Sequence, residues 1–468
     1  MRLPLQFTIC ILHFACCMLA MAADARYVAG LSDGSRVEGK EIQGWGNPRE
    51  SPRLDGKELL GPGRPFCWLR DLAPPAEEPG REASGVVELL GGDRLLGCVT
   101  GFADGGVEGQ PSVPPHLLLA LDAPLLGEGR PPRVEAAGGP RRTEVRVLPG
   151  FVRRIVWGKP RSRSLEPGTL VFRDGGRLAC QGLRWEADGV RVLAAQGIRH
   201  VPLADLAEVC PPAADAWQSY CEELAVLDAA CKSRLVRLEI SRGSVLSTAL
   251  ARLEPSGGWD RAAWCQVVRP AWCLDAVCVP FAAIRAWWTF LPHELPLSRW
   301  PPVRFIARPL LGKGWSYQVD HNVEGGLLAS AKQVHGWGFG VHAPCELWFE
   351  VPPAARGFQV RVGLDRLAGG GGCARAVVCL DRPDAAPLFR SKHLIGSSEV
   401  LDTGMLPVDG RGGQKRLVLV ADAADSDRPP GADPLDIRDM LDWIEPVWLL
   451  DPAELRRAVE KRLPAAAH

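Results

Sequence analysis

Apolar and polar residues alternate with a period of two along most of this chain, which is the pattern of half-buried strands. The alternation is interrupted by Asp-Gly and Gly-Asp pairs at similar places: within Leu31 to Gly39, within Leu90 to Gly97, and within Phe172 to Leu178. Each reads as a strand, a tight turn and a returning strand, because Asp and Gly tolerate the positive φ angles of hairpin turns. The third copy is the fullest. Leu183 to Trp185 leads to Asp188 and Gly189, then to Val190 to Leu193, and closes with His200 to Leu206. A diverged fourth copy starts at Val236, turns at Arg242 and Gly243, and ends near Val279 and Pro280. The pattern therefore predicts small SH3-like or barrel-like β units over 23–80, 81–160, 165–211 and 235–298. Proline and glycine at Pro74 to Gly80, Gly127 to Pro140 and Pro211 to Pro212 mark linkers or long loops. Between the third and fourth units the period lengthens. Trp217, Tyr220, Leu224 and Leu227 fall at helical spacing, so one connecting helix is expected over 213–232. A second helix is expected over 451–463, with Asp451 as its cap, Pro452 in its first turn and Glu454 three residues after the cap.

The last third differs in texture. Gly336, Gly338 and Gly340 alternate with Trp337 and Phe339, and Val341, His342 and an alternating apolar run to Glu350 follow. This describes a backbone that turns tightly and enters a half-buried strand. Downstream lie Val360 to Asp365, Val377 to Asp381, Leu388 to Ser391, Arg416 to Val420, and Asp442 with Trp443. In that order the segments resemble the NPCBM/NEW2 domain, the carbohydrate-binding module associated with family 98 glycoside hydrolases, over residues 303–450. The resemblance implies a galactose-binding-like jelly-roll β-sandwich and a glycan or glycoconjugate as partner. Taken with the repeats, the expected fold is mainly β: several small units, one connecting helix, then the sandwich. The sequence departs from the family pattern at Cys345, where a serine is expected, at Arg382 and Pro383, where the family turns on glycine, and in an added loop from Ser426 to Asp433.

Composition narrows the function. The chain has 468 residues, long enough for two to four domains, and 46% hydrophobic residues, enough to build real cores. Lys plus Arg equals Asp plus Glu at 55 each, so no net field favours nucleic acid or an acidic membrane. Local runs such as Arg141, Arg142 and Arg153, Arg154 are expected to be solvated strand faces. Arg2, the apolar run Leu3 to Leu19, and the small residues around Met21 read as a signal peptide over 1–22, cut before Ala23. A secreted, periplasmic or cell-envelope location follows, with no membrane span after cleavage. Of 15 cysteines, three lie in that signal, leaving 15 − 3 = 12. Export permits disulfides, and Cys373 with Cys379, or members of the group Cys265, Cys273 and Cys278, are the pairing candidates.

No Gly-x-Ser-x-Gly elbow, Walker loop or His-Glu-x-x-His is present, and Pro296 breaks the one His-Glu start at His293 and Glu294. Gly369 to Gly372 is a flexible loop. With the resemblance of the last third, the expected reading is a secreted non-catalytic carbohydrate-binding protein. One alternative is a cell-envelope scaffold or interaction protein with a degenerate sugar site and envelope proteins as partners. Another is a glycoside hydrolase accessory chain or glycosidase with its catalytic part in 24–290. Sugar binding needs aromatic faces that stack on a pyranose and fixed polar groups that read hydroxyls. The module's candidates are Trp337, His342, Trp315, Tyr317 and Trp443, with Trp337 expected in an exposed turn and Trp443 equally suited to a core. Asp365, Asp381, Asp439 and Asp442 fall at strand ends or loops. They fit turn capping, and Asp365, Asp381 and Asp442 are the candidates for the structural calcium that galactose-binding-like sandwiches imply. The tryptophans at 264, 272, 287 and 288 are expected to pack the fourth unit.

Overall fold

The computed structural model describes residues 25–44, 51–60, 65–73, 83–106, 113–127, 143–158, 166–256, 265–310, 314–412 and 415–463. The proposed signal peptide, Arg141, Arg142 and Trp264 lie outside them. Four β units occupy the N-terminal part, and in each the closing strand returns antiparallel to the opening one. Tyr27–Leu31 pairs with Phe66–Asp71, Gly85–Leu89 with Val152–Trp157, Thr169–Phe172 with Leu206–Cys210, and Leu235–Ile240 with Ile284–Phe290. In units two, three and four a single 3-10 turn, Pro149–Phe151, Leu203–Asp205 or Phe281–Ala283, bends the chain into that closing strand. The units then join edge to edge in the order three, two, four, one, giving one 14-stranded sheet. The joints are Val152–Trp157 against Leu206–Cys210, the single pair Arg94 with Val245, and Ile284–Phe290 against Phe66–Asp71. Shared strands remove the sheet edges that isolated small barrels would expose.

Period-two alternation gives this sheet two unlike faces. One carries Leu69, Val87, Leu95, Ile155, Leu238 and Trp287, all buried in a common core, each contributing roughly 1.5–3 kcal/mol. The other carries charge. Arg154, Glu88, Arg94, Val245, Glu239, Ala286 and Arg70 are successive cross-strand partners across seven neighbouring strands. A parallel row sets Ser247, Arg237, Trp288 and Trp68 side by side. Most of this charged face is covered, which corrects the expectation of a solvated one. Arg154 is 3% exposed and bonds Glu208, while Arg153 is half-buried. The adjacent tryptophans part company for the same reason: Trp287 enters the unit core and Trp288 points the other way. Trp272 is buried in the core, its indole N–H donating to Asp93 at 2.8 Å.

Residues beyond 300 form two antiparallel layers. Gly338–His342, Met440–Leu450 and Ala355–Leu364 are neighbours in a seven-stranded sheet, and Cys345–Glu350, Arg416–Asp422 and Cys373–Leu380 in a six-stranded one. Phe339, Phe349, Phe358, Trp443 and Trp448 fill the space between. Helix α1 (Ala216–Leu227) is capped by Asp215, which accepts from Trp217 N at 2.9 Å and Gln218 N at 3.1 Å. Helix α2 (Pro452–Glu460) is capped by Asp451 in the same way. Glu223 of α1 forms a buried ion pair with Arg299 at 2.6 Å, tying the helix to the linker before the sandwich.

The disulfide expectation is corrected at four sites. Cys373 and Cys379 are free thiols on one strand, six residues apart and so about 20 Å distant, too far to bond. Cys265 and Cys273 are also free thiols. Among the described residues no helix is long and apolar enough to cross a membrane.

Candidate functional site

The sandwich is seated on the charged sheet face through its glycine-rich turn. Arg70, 1% exposed, donates to the carbonyls of His335 at 3.1 Å, Gly336 at 2.7 Å and Asp320 at 3.0 Å, and pairs with Glu239 at 3.3 Å. Arg237 pairs with Asp320 at 3.2 Å, His321 with Glu239 at 3.3 Å, and the Trp288 indole donates to Gly336 O at 2.8 Å. Burial alone pushes the Glu239 carboxyl up, yet His321 and the Arg70 and Arg237 charges hold it down at about 2. Burial pulls the His321 imidazole down, but its bond to Glu239 prevails and raises it. Two glycines are required here. A Cβ on Gly336 would lie 2.5 Å from the Trp68 ring, and Gly338, at φ +145, would place one 2.0 Å from Trp443 O. Trp337 is therefore half-buried against Trp68 and Trp288, not exposed, and its N–H reaches Pro446 O at 3.4 Å.

The opposite end of the same strand is open. His342 closes Gly338–His342, and the Trp315 indole lies on its imidazole with ring centroids 5.7 Å apart and planes 10° from parallel. Trp315 remains 42% exposed. Burial lowers the His342 pKa against the nearby Asp436 charge, so the ring is neutral at pH 7 and offers one donor and one acceptor. Asp436, 4% exposed, accepts from Leu310 N at 2.8 Å, and Leu310 and the flanking Leu435 and Ile437 are exposed. A flat aromatic surface, a neutral imidazole and a carboxylate are the groups a pyranose needs. Sequence reasoning found Trp315 and His342 but missed Asp436, because nothing in the spacing of 425–439 brings that loop to position 310.

The other candidates lie elsewhere. Tyr317 sits edge-on to Phe305, centroids 5.2 Å apart, and lines a cleft between the sandwich and units two and four. Trp443 is fully buried in the core. Asp365 and Asp442 are brought together, both buried: Asp365 accepts from Leu367 N at 2.9 Å and Ala329 N at 3.3 Å, and Asp442 from Ser330 Oγ at 3.4 Å. Burial, with Asp365 beside it, raises the Asp442 carboxyl well above its usual range. Two carboxylates that share a proton fit a hydrogen-bonded pair better than a cation cage, since a hard cation asks for ionised oxygens. Asp381 does not join them; it stands in a turn with φ +61, accepting from Lys415 N at 2.8 Å and Arg416 N at 3.0 Å. Asp439 accepts from Cys373 N at 2.8 Å and pairs with Arg428, its pKa pushed up by burial to about 6. Among the described residues no three His, Cys, Asp or Glu side chains converge as a metal set.

Solved structures similar to this chain include several with CBM51 domains. The CBM51 of Clostridium perfringens GH95, solved in complex with methyl-galactose, is 19% identical; the match covers 33% of this chain and 99% of that one, with a TM-score of 0.27. CBM51-2 with the INT domains of C. perfringens ZmpB, in complex with GlcNAc, is 17% identical over 47% of each chain, with a TM-score of 0.28. The ZmpB M60 catalytic domain with CBM51-1 and CBM51-2 is 11% identical over 75% of this chain and 43% of that one, with a TM-score of 0.27. The chain thus spans less than half of the ZmpB structures it matches. No curated protein matches the chain. Two facing antiparallel layers occupy the matched span, and residues 306–446 are an NPCBM/NEW2 domain.

Proposed function

We propose that this chain is a secreted, non-catalytic glycan-binding protein whose NPCBM/NEW2 domain grips a pyranose at the Trp315–His342 end. The family match over 306–446 is the observation that carries this reading. The stacked pair supplies the platform: the imidazole supports one face of the indole, and the exposed remainder is free to lie against a sugar ring. His342 and Asp436 offer hydroxyl-reading groups beside it. The four N-terminal units act as a rigid base that orients the domain, and the signal-like segment 1–22 supports export. Affinity electrophoresis of the full chain in gels containing galactan, mucin or chitosaccharide tests this. Retardation by one of them that Trp315→Ala abolishes supports it; mobility unaffected by every glycan contradicts it.

A second reading, an envelope interaction protein, is favoured by one observation: Leu310, Leu435 and Ile437 are 43%, 46% and 42% exposed around the same end. Apolar side chains so placed suit a protein surface as well as a sugar. Pull-down of envelope proteins by a chain that no glycan retards supports that reading over the first.

A further inference from the structure

Where the sandwich leaves the sheet it does not close upon it. Between them runs a cleft of about 440 Å³, with Glu88, Arg94, Arg153 and Arg154 on the sheet side and Phe305 and Tyr317 on the sandwich side. It is made by the juxtaposition of the two parts, and neither part alone would form it.

The charges within it differ in their commitments. Arg154 is held by Glu208, and by Glu88 at 3.8 Å; Arg237 is held by Asp320 and by Ser298 Oγ at 3.0 Å; Glu239 is held by Arg70 and His321. Arg237 and Glu239 are spent on seating the sandwich, and Arg154 on joining units two and three. Arg94 and Arg153 are not. Arg94 is exposed and, among the described residues, no carboxylate lies within ion-pair distance of either guanidinium. Arg153 instead stands beside the Tyr317 hydroxyl, a neutral group. A phenol beside Phe305 gives an aromatic wall, and two guanidiniums without acid partners give planar forks that match carboxylate or sulfate oxygens.

We propose that this cleft is a second saccharide site, distinct from the Trp315 end, and that it takes an acidic sugar, with Arg94 and Arg153 holding a uronate carboxylate or a sulfate ester and Tyr317 packing on the ring. The ligand class rests on the reading of the domain as a glycan binder; the site does not depend on Trp315. Orientation follows from the same geometry. The anionic group points toward the sheet, and the ring's C–H face lies on the sandwich wall. Glu88, across the strand from both Arg94 and Arg154, disfavours ligands carrying two adjacent charges, so one anionic group per disaccharide fits best.

The experiment uses the full chain in affinity gels of polygalacturonate, dextran sulfate and neutral dextran, for wild type, Arg94→Ala, Arg153→Ala, the double variant, and Arg382→Ala as an exposed arginine away from the cleft. Retardation by polygalacturonate identifies a carboxylate, by dextran sulfate a sulfate, and by both the charge they share. The proposal expects the double variant to lose about tenfold in affinity, a factor equal to about 1.4 kcal/mol, with Arg382→Ala unchanged and retardation weakening as salt rises. Repeating the series in the Trp315→Ala background separates this site from the first: retention of the acidic polymer there, with loss of the neutral glycan, leaves both readings standing. No retardation by either acidic polymer, equal retardation by neutral dextran, or retardation equally reduced by Arg382→Ala overturns it. Unchanged thermal unfolding of Arg94→Ala, whose side chain is exposed, shows that any loss is not misfolding.

Discussion

The strand Gly338–His342 has two ends with opposite fates. At its start, Gly336 and Trp337 are locked onto units one and four by Arg70 and Trp288; at its finish, His342 backs an indole that is 42% exposed. Both ends carry a tryptophan in a glycine-rich setting, so residue type alone does not separate them. The difference lies in what each end faces. The first meets a sheet whose charged residues cannot be left dry without partners, and the turn's carbonyls supply those partners. At the second, Trp315 remains largely uncovered among the described residues, and its aromatic pair stays available. A binding residue is therefore recognised here by what fails to cover it.

Changes at the seated end should have the largest effect. Arg70→Ala removes donors to three carbonyls and leaves Glu239 short of a cation, so it should cost about 3–5 kcal/mol, read as a lower denaturation midpoint and a separate, earlier transition for the domain. A single transition at the wild-type midpoint would mean that the seat contributes little. Trp337→Ala should follow at about 2 kcal/mol, since half-buried aromatic contacts are lost, while glycan retention by the folded protein stays unchanged. Trp315→Ala should shift stability by less than about 1 kcal/mol and yet lose glycan retention about tenfold or more. If Trp337→Ala is the one that loses retention, the two ends have been assigned the wrong way round.

The middle of the strand offers a subtler test. Asp442 lies opposite Gly340 with a raised pKa, so the folded protein holds a proton that the unfolded chain releases. Its contribution is then most favourable below the unfolded carboxylate value of about 4 and weakens as pH rises from there toward the folded value. Asp442→Asn keeps a neutral partner for Asp365 and should flatten that decline, gaining on wild type as pH rises from about 4 to 8 in urea titrations. Asp439, at about 6, adds a slope of the same sign that the variant should retain. A variant that loses stability relative to wild type over that range would show that the pair is ionised.

The sequence carried the period-two strands, the Asp-Gly turns and the two helices in full view, because these depend on neighbours along the chain. Helix α1 shows it: Asp215 caps the run in which Trp217, Tyr220, Leu224 and Leu227 are spaced. The order in which units join was not legible, since the pairing of Arg94 with Val245 brings together strands about 150 positions apart. The burial of Arg70, Arg154 and Glu239 was hidden for a related reason. Their alternation is that of a wet strand face, and partners distant in sequence, Glu208 for Arg154 and the seated turn for Arg70 and Glu239, let it be buried. At the site, Trp315 and His342 were readable as types, whereas their stacking and the company of Asp436 depend on three loops meeting at one end.

The most direct test sets Trp315→Ala beside Trp337→Ala in one affinity gel containing the glycan that retards the wild type, with circular dichroism confirming both folds. The account predicts that Trp315→Ala migrates as in a gel without glycan and that Trp337→Ala is retarded like wild type. Retardation of Trp315→Ala equal to wild type would contradict it.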